Sequence, residues 1–147
     1  MSSKERVLFL CTHNSARSQM AEALLREIAG DRFDAYSAGT EATAVRPLAL
    51  TVMGEIGIDI SGQQSKTLQR YLSEPWDYVI TVCDDANESC PVLPGMTNRS
   101  HWSFEDPSKA TGSEQGQLET YRRVRDEIAA RIRTFVAATE PRGVAIS

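Results

Sequence analysis

The amino-acid sequence predicts an α/β fold, a small doubly wound sheet of about four parallel strands flanked by helices, and three observations support this. Two strongly apolar runs, Arg6-Val7-Leu8-Phe9-Leu10 and Asp77-Tyr78-Val79-Ile80-Thr81-Val82, show no alternation, as expected of strands covered on both faces. Stretches with apolar residues at helical spacing follow strand-like segments. Each apolar run also ends at a cysteine, Cys11 or Cys83, so reactive side chains fall at the carboxyl edge where sheets of this class bind ligands.

The first strand, Arg6 to Leu10, ends at Cys11. From Ser18 onward Met20, Ala21, Leu24, Leu25, Ile28 and Ala29 mark one helical face, with Gly30 placed for a left-handed C-terminal cap. Phe33 to Gly39 reads as a second strand. Arg46-Pro47 opens a helix running to about Ile56, because proline suits a first turn, and Gly57 stops it. A weaker helical patch covers Thr67 to Leu72, ahead of the strand Asp77 to Val82. After Cys83 a polar stretch, Asp84 to Ser89, leads to Cys90-Pro91 and then to a short strand near Arg99 to Trp102. Pro107 to Gly116 reads as a loop from its Ser, Gly and Thr content. Leu118, Tyr121, Val124, Ile128, Ile132 and Phe135 then mark a helix from Gln117 to about Ala138, and the tail beyond Thr139 is expected to fray.

Length and composition fit a single domain spanning residues 1–147. A chain of this size hides roughly 68–70% of its unfolded surface, so its core needs no disulfide staples. The 20 acidic residues outnumber the 16 basic ones, for a net charge of −4, which argues against broad nucleic-acid binding. No apolar run approaches the roughly 18 residues of a membrane span. Three cysteines behind the polar start Met1 to Arg6 suit a reduced compartment, so a soluble, cytoplasmic protein is expected. A monomer without cofactor or metal is expected as well.

The segment Cys11-Thr12-His13-Asn14-Ser15-Ala16-Arg17-Ser18 lies between a strand end and a helix start. Successive backbone N–H groups in such a place converge into an anion nest, and Arg17 adds a planar fork suited to a tetrahedral oxyanion. The same field favours a thiolate, which makes Cys11 the candidate nucleophile and the Ser18 hydroxyl a candidate donor to its sulfur. Thr12, His13, Asn14, Ser15, Ala16 and Arg17 are the candidate oxyanion-binding residues. The glycines and lysine of a nucleotide loop are missing. An isolated cysteine would read as a small buried apolar residue, and only the combination with Arg17 and Ser18 points to chemistry.

The strand together with Cys11 to Ser18 resembles the low-molecular-weight protein tyrosine phosphatase superfamily. Ser18-Gln19-Met20-Ala21-Glu22 and Tyr36-Ser37-Ala38-Gly39 resemble its arsenate reductase branch, and the three cysteine positions, including Cys83 to Pro91, resemble the thioredoxin-coupled arsenate reductases. The likeness runs from about Arg6 to Phe135. It implies that Asp106, in Asp106-Pro107, is the general acid that protonates the departing oxygen. Cys83 ends a strand expected beside that of Cys11, and adjacent strands lie about 4.8 Å apart, within the Cα range of disulfides. Reduction of arsenate to arsenite takes two electrons, the number released when two thiols become one disulfide. The implied relay runs from Cys11 to Cys83 to Cys90, with thioredoxin as the reductant.

Other readings of the residues remain open. One is a phosphatase acting on phosphotyrosine or small phosphomonoesters, although Ser108-Lys109-Ala110 follow Asp106-Pro107 where such enzymes often carry aromatic residues. Another is a non-catalytic oxyanion-binding or redox-sensing module. Inert core thiols are a third, whereas zinc is disfavoured because the cysteine gaps exceed two to four residues. The chain departs from many relatives at His13, where they carry glycine, and at Ala16, where they carry cysteine. Some relatives bind potassium through residues matching Asn14, Glu22 and Ser37 and an acid that falls at Lys66. Here the Lys66 ammonium is expected to fill that role. His101, beside Trp102, is expected to be structural.

Overall fold

The computed structural model describes residues 4–14, 16–41, 43–71, 73–83 and 99–139. Strands β1 (Glu5–Cys11), β2 (Phe33–Gly39), β3 (Tyr78–Thr81) and β4 (Arg99–His101) form one parallel sheet in the order β2-β1-β3-β4. Chain connections leave β1 toward β2 on one side and reach β3 on the other, so the end of β1 is the switch point of the sheet. Cys11 occupies that end.

The period-two alternation of β1 divides the core in two. Val7, Phe9 and Cys11 join the apolar faces of α1 (Arg17–Ala29), α2 (Pro47–Glu55) and α3 (Glu114–Ala138) in the main core. Leu8 and Leu10 pack with Ala38, Val79, Tyr71 and Trp76 on the opposite face. Tyr71 ends a 3₁₀ turn at Leu68–Tyr71, the weak helical patch of the sequence, and the Trp76 indole N–H donates to the Tyr71 carbonyl at 3.1 Å. Tyr36 stacks edge-on against both, at 5.8 and 5.3 Å, and the Arg6 guanidinium covers Tyr36 and Trp76. Burying side chains such as Phe9, which is fully covered and 5.9 Å from Trp102, contributes roughly 1.5–3 kcal/mol each.

Two expectations need correction. Gly30 caps α1 in the right-handed region (φ −64°, ψ −16°), not the left-handed one, because the Arg32 N–H bonds the Ala29 carbonyl at 3.0 Å and turns the chain directly into β2. Helix α3 begins at Glu114 rather than Gln117, because the Ser113 hydroxyl accepts the Gly116 N–H at 3.1 Å and caps the first turn. The loop before it contains a 3₁₀ turn at Pro107–Lys109. Gly57 ends α2 as expected, in the left-handed region (φ 82°). No helix among the described residues is long and apolar enough to cross a membrane.

Candidate active site

The loop leaving Cys11 is held by its neighbours and by the side chain of its own Asn14. β2 runs in register beside it, with Cys11 opposite Gly39. A Cβ at Gly39 would lie 2.7 Å from the Thr12 carbonyl oxygen and 2.8 Å from both the Asn14 nitrogen and the Cys11 carbonyl oxygen, so only glycine lets the strand pass this close. The Thr12 carbonyl accepts the Glu41 N–H and the Thr40 hydroxyl, each at 3.0 Å. Asn14, fully buried, takes a left-handed conformation (φ 50°) that turns the loop toward α1. Ala16, at the N-cap of α1, has no side-chain oxygen to occupy the first helical N–H groups, which therefore remain suited to an external anion.

Arg17 and Asp106 come together across this loop, although 89 positions separate them. Both are buried. One Arg17 Nη donates to the Phe104 carbonyl at 3.2 Å and the other lies 3.5 Å from Asp106 Oδ2. Asp106 caps the 3₁₀ turn, its Oδ1 accepting the Ser108 N–H at 2.9 Å and the Ser108 hydroxyl at 2.7 Å. One carboxylate oxygen is thus committed to Ser108 while the other faces the loop's guanidinium.

The Ser18 hydroxyl is fully buried and accepts a hydrogen bond from Asn14 Nδ2 at 2.9 Å. Its own proton stays available, but no hydrogen bond joins Ser18 to the Cys11 sulfur among the described residues. The half-exposed His13 ring sits at the rim, with Nε2 3.4 Å from Glu41 Oε1. Residues outside the predicted oxyanion segment support the loop from below. Ser65 and Thr43 donate their hydroxyls to the His13 carbonyl at 3.0 and 3.3 Å, and the Lys66 N–H donates to Asn14 Oδ1 at 2.7 Å. Gln19, wholly buried on α1, ties Asn14 to Gln64. The available signal was a run of polar residues, Ser18, Gln19 and Glu22, inside a helix whose first turns are buried on every side.

The donor set around Glu22 does not fit potassium. Ser37 donates to Glu22 Oε1 at 2.6 Å, the Lys66 ammonium lies 3.8 Å from the same oxygen, and Arg26 donates to Oε2 at 3.0 Å. Two resident cations already flank the buried carboxylate. Burial pushes the Lys66 amine below its ordinary range, and Glu22 opposes that shift.

β3 lies beside β1, with Leu10 opposite Thr81, and the Val82 N–H donates to the Leu10 carbonyl at 2.9 Å. Continuing that register, Cys11 stands opposite Val82 and Cys83 is the next residue along. Cys11 and Cys83 are both buried and are thiols rather than a disulfide. Ser15 and Cys90, with the rest of 84–98, lie outside the described residues. His101, on β4, joins β3 through Nδ1, 2.5 Å from the Thr81 hydroxyl, as a structural residue would.

The chain is similar to known proteins over most of its length. The chain is 49% identical over 132 residues to an arsenate reductase of Halalkalibacterium halodurans, covering 90% of this chain and 95% of that protein. It is 44% identical over 129 residues to an arsenate reductase of Bacillus subtilis, covering 88% and 93%. Among solved structures, an arsenate reductase in its phosphate-binding state superposes with a TM-score of 0.75 at 32% identity, over 92% of this chain and 99% of that one. A thioredoxin-dependent arsenate reductase of Corynebacterium glutamicum gives a TM-score of 0.67 at 32% identity, over 93% of this chain and 62% of that one. Residues 6–142 match the low molecular weight phosphotyrosine protein phosphatase family, and the chain belongs to it.

Proposed function

We propose that this protein reduces arsenate to arsenite through a three-thiol relay regenerated by thioredoxin. The observation that carries the reading is the placement of Cys11 and Cys83 at the ends of adjacent central strands, with Asp106 3.5 Å from the Arg17 guanidinium. A phosphatase needs one nucleophilic sulfur; a second thiol at the neighbouring strand end gives the electrons a route. The chain's similarity to arsenate reductases supports the substrate, and the thioredoxin dependence of the Corynebacterium relative supports the reductant.

In this reading the oxyanion sits on the loop N–H groups and the Arg17 fork. Cys11 attacks arsenic as a thiolate, and one arsenate oxygen leaves as water with a proton from Asp106 Oδ2. Cys83 then attacks the Cys11 sulfur. The S–S bond forms as the S–As bond breaks, its electron pair stays on arsenic, As(V) becomes As(III), and arsenite departs. Cys90 attacks Cys83, restoring the Cys11 thiol and leaving a Cys83–Cys90 disulfide for the dithiol of thioredoxin to reduce.

The test is arsenate-dependent NADPH consumption with thioredoxin and its reductase, against glutaredoxin with glutathione. Turnover is expected with the first system. Cys83→Ser is expected to lose it while keeping slow hydrolysis of an aryl phosphate, because phosphate and arsenate share shape and charge. Undiminished arsenate turnover in Cys83→Ser contradicts the reading.

A further inference from the structure

We infer that Gln19 is a positioning residue of the oxyanion loop, holding Asn14 in the left-handed conformation that aims the loop's N–H groups at the anion. The inference rests on the reading that this loop binds a tetrahedral oxyanion at Cys11.

The Gln19 side chain is a hub. Its Nε2 lies 2.9 Å from Asn14 Oδ1, 3.0 Å from the Asn14 carbonyl oxygen and 2.9 Å from the Gln64 carbonyl oxygen. Its Oε1 accepts from Gln63 Nε2 at 2.6 Å, and Gln63 also donates to the Gln19 carbonyl at 3.2 Å. Gln19 and Asn14 are both fully covered, so their own polar groups have no water as an alternative partner. Asn14 is the sole non-glycine residue with positive φ among the described residues. Asparagine tolerates that region better than most residues, but such conformations persist only where surrounding contacts over-determine them. Gln19 grips both the backbone carbonyl and the side-chain oxygen of Asn14, while the Lys66 N–H takes the same Oδ1 at 2.7 Å. The segment Gln63 to Lys66 therefore acts as a strap under the loop, and Gln19 couples the strap to α1. Rotation of the Asn14 backbone out of φ 50° would swing the adjoining N–H groups away from a common centre. Hence Gln19, though it touches neither substrate nor sulfur, sets the affinity of the loop for its anion.

The test reads anion binding without turnover, as protection of Cys11 from alkylation by iodoacetamide in a titration with inorganic phosphate. Cys83→Ser/Cys90→Ser serves as the parent, so that Cys11 is the only thiol. Gln19→Met keeps the volume and removes the polar grip. It is expected to raise the phosphate concentration for half-protection about tenfold, the scale of one lost buried hydrogen bond. Adding Asn14→Gly is expected to recover a large part of that loss, since glycine adopts positive φ without help. A purely space-filling role for Gln19 predicts no such recovery. Gln63→Leu, at the far end of the hub, should weaken protection less and keeps the question answerable if Gln19→Met does not fold. Unchanged protection in Gln19→Met, or in Gln63→Leu when only that variant folds, overturns the inference, as does Asn14→Gly failing to rescue. A parent protein that phosphate does not protect overturns it together with the oxyanion reading itself.

Discussion

Gly39 is the residue on which the shape of the loop depends most directly. The carbonyls of Cys11 and Thr12 and the amide of Asn14 crowd its missing Cβ. Gly39→Ala must push the loop away from β2, so phosphate protection of Cys11 is expected to fall at least tenfold while the far-ultraviolet circular dichroism stays that of the wild type. Undisturbed protection contradicts the account of the loop. Asp106 gives the second residue-scale prediction. General acids contribute on the order of 10²–10⁴ in rate, so Asp106→Asn should lower the arsenate turnover number by about 10²-fold or more. Phosphate affinity should hold or tighten, because a carboxylate beside the anion has gone. A loss confined to affinity would make Asp106 a structural partner of Arg17 only.

At the scale of elements, the sequence made the central strands legible because strands buried on both faces leave unbroken apolar runs. That pairing put Cys11 and Cys83 at neighbouring strand ends. The strap Gln63 to Lys66 was not legible, since its contacts are polar, reach back to Asn14 and Gln19, and have no periodicity. The start of α3 was hidden by Gly116, whose composition reads as loop until Ser113 is seen to cap it. α2 and α3 are joined by Glu55, which accepts two-pronged hydrogen bonds from Arg122 and a further one from Arg125 at 3.1 Å. The Arg122 hydrogen bonds, with Arg125 adding, hold the Glu55 carboxyl below its ordinary value near 4.5. A lowered carboxyl value means stability that is present above about pH 4.5 and lost as pH falls through the folded-state value. Glu55→Gln should therefore lower Tm slightly at pH 7, and the deficit should shrink as the pH drops below 4.5. An equal deficit at pH 3 and pH 7 contradicts this.

For the whole molecule, a net charge of −4 gives an anionic substrate no general attraction, so the proposed reading assigns capture to the single loop at the switch point of the sheet. If the Lys66 ammonium beside Glu22 fills the cation position, the loop needs no added monovalent cation. Replacing sodium with potassium chloride at constant ionic strength should change neither arsenate turnover nor Tm, and a clear stimulation contradicts the assignment of Lys66. The central claim is that three thiols act in series, and the Cys90→Ser variant tests it most directly. Mixed with excess arsenate and the thioredoxin system, it should release about one arsenite per protein and stall, with mass spectrometry finding a Cys11–Cys83 disulfide. Undiminished steady-state turnover by that variant would contradict the relay.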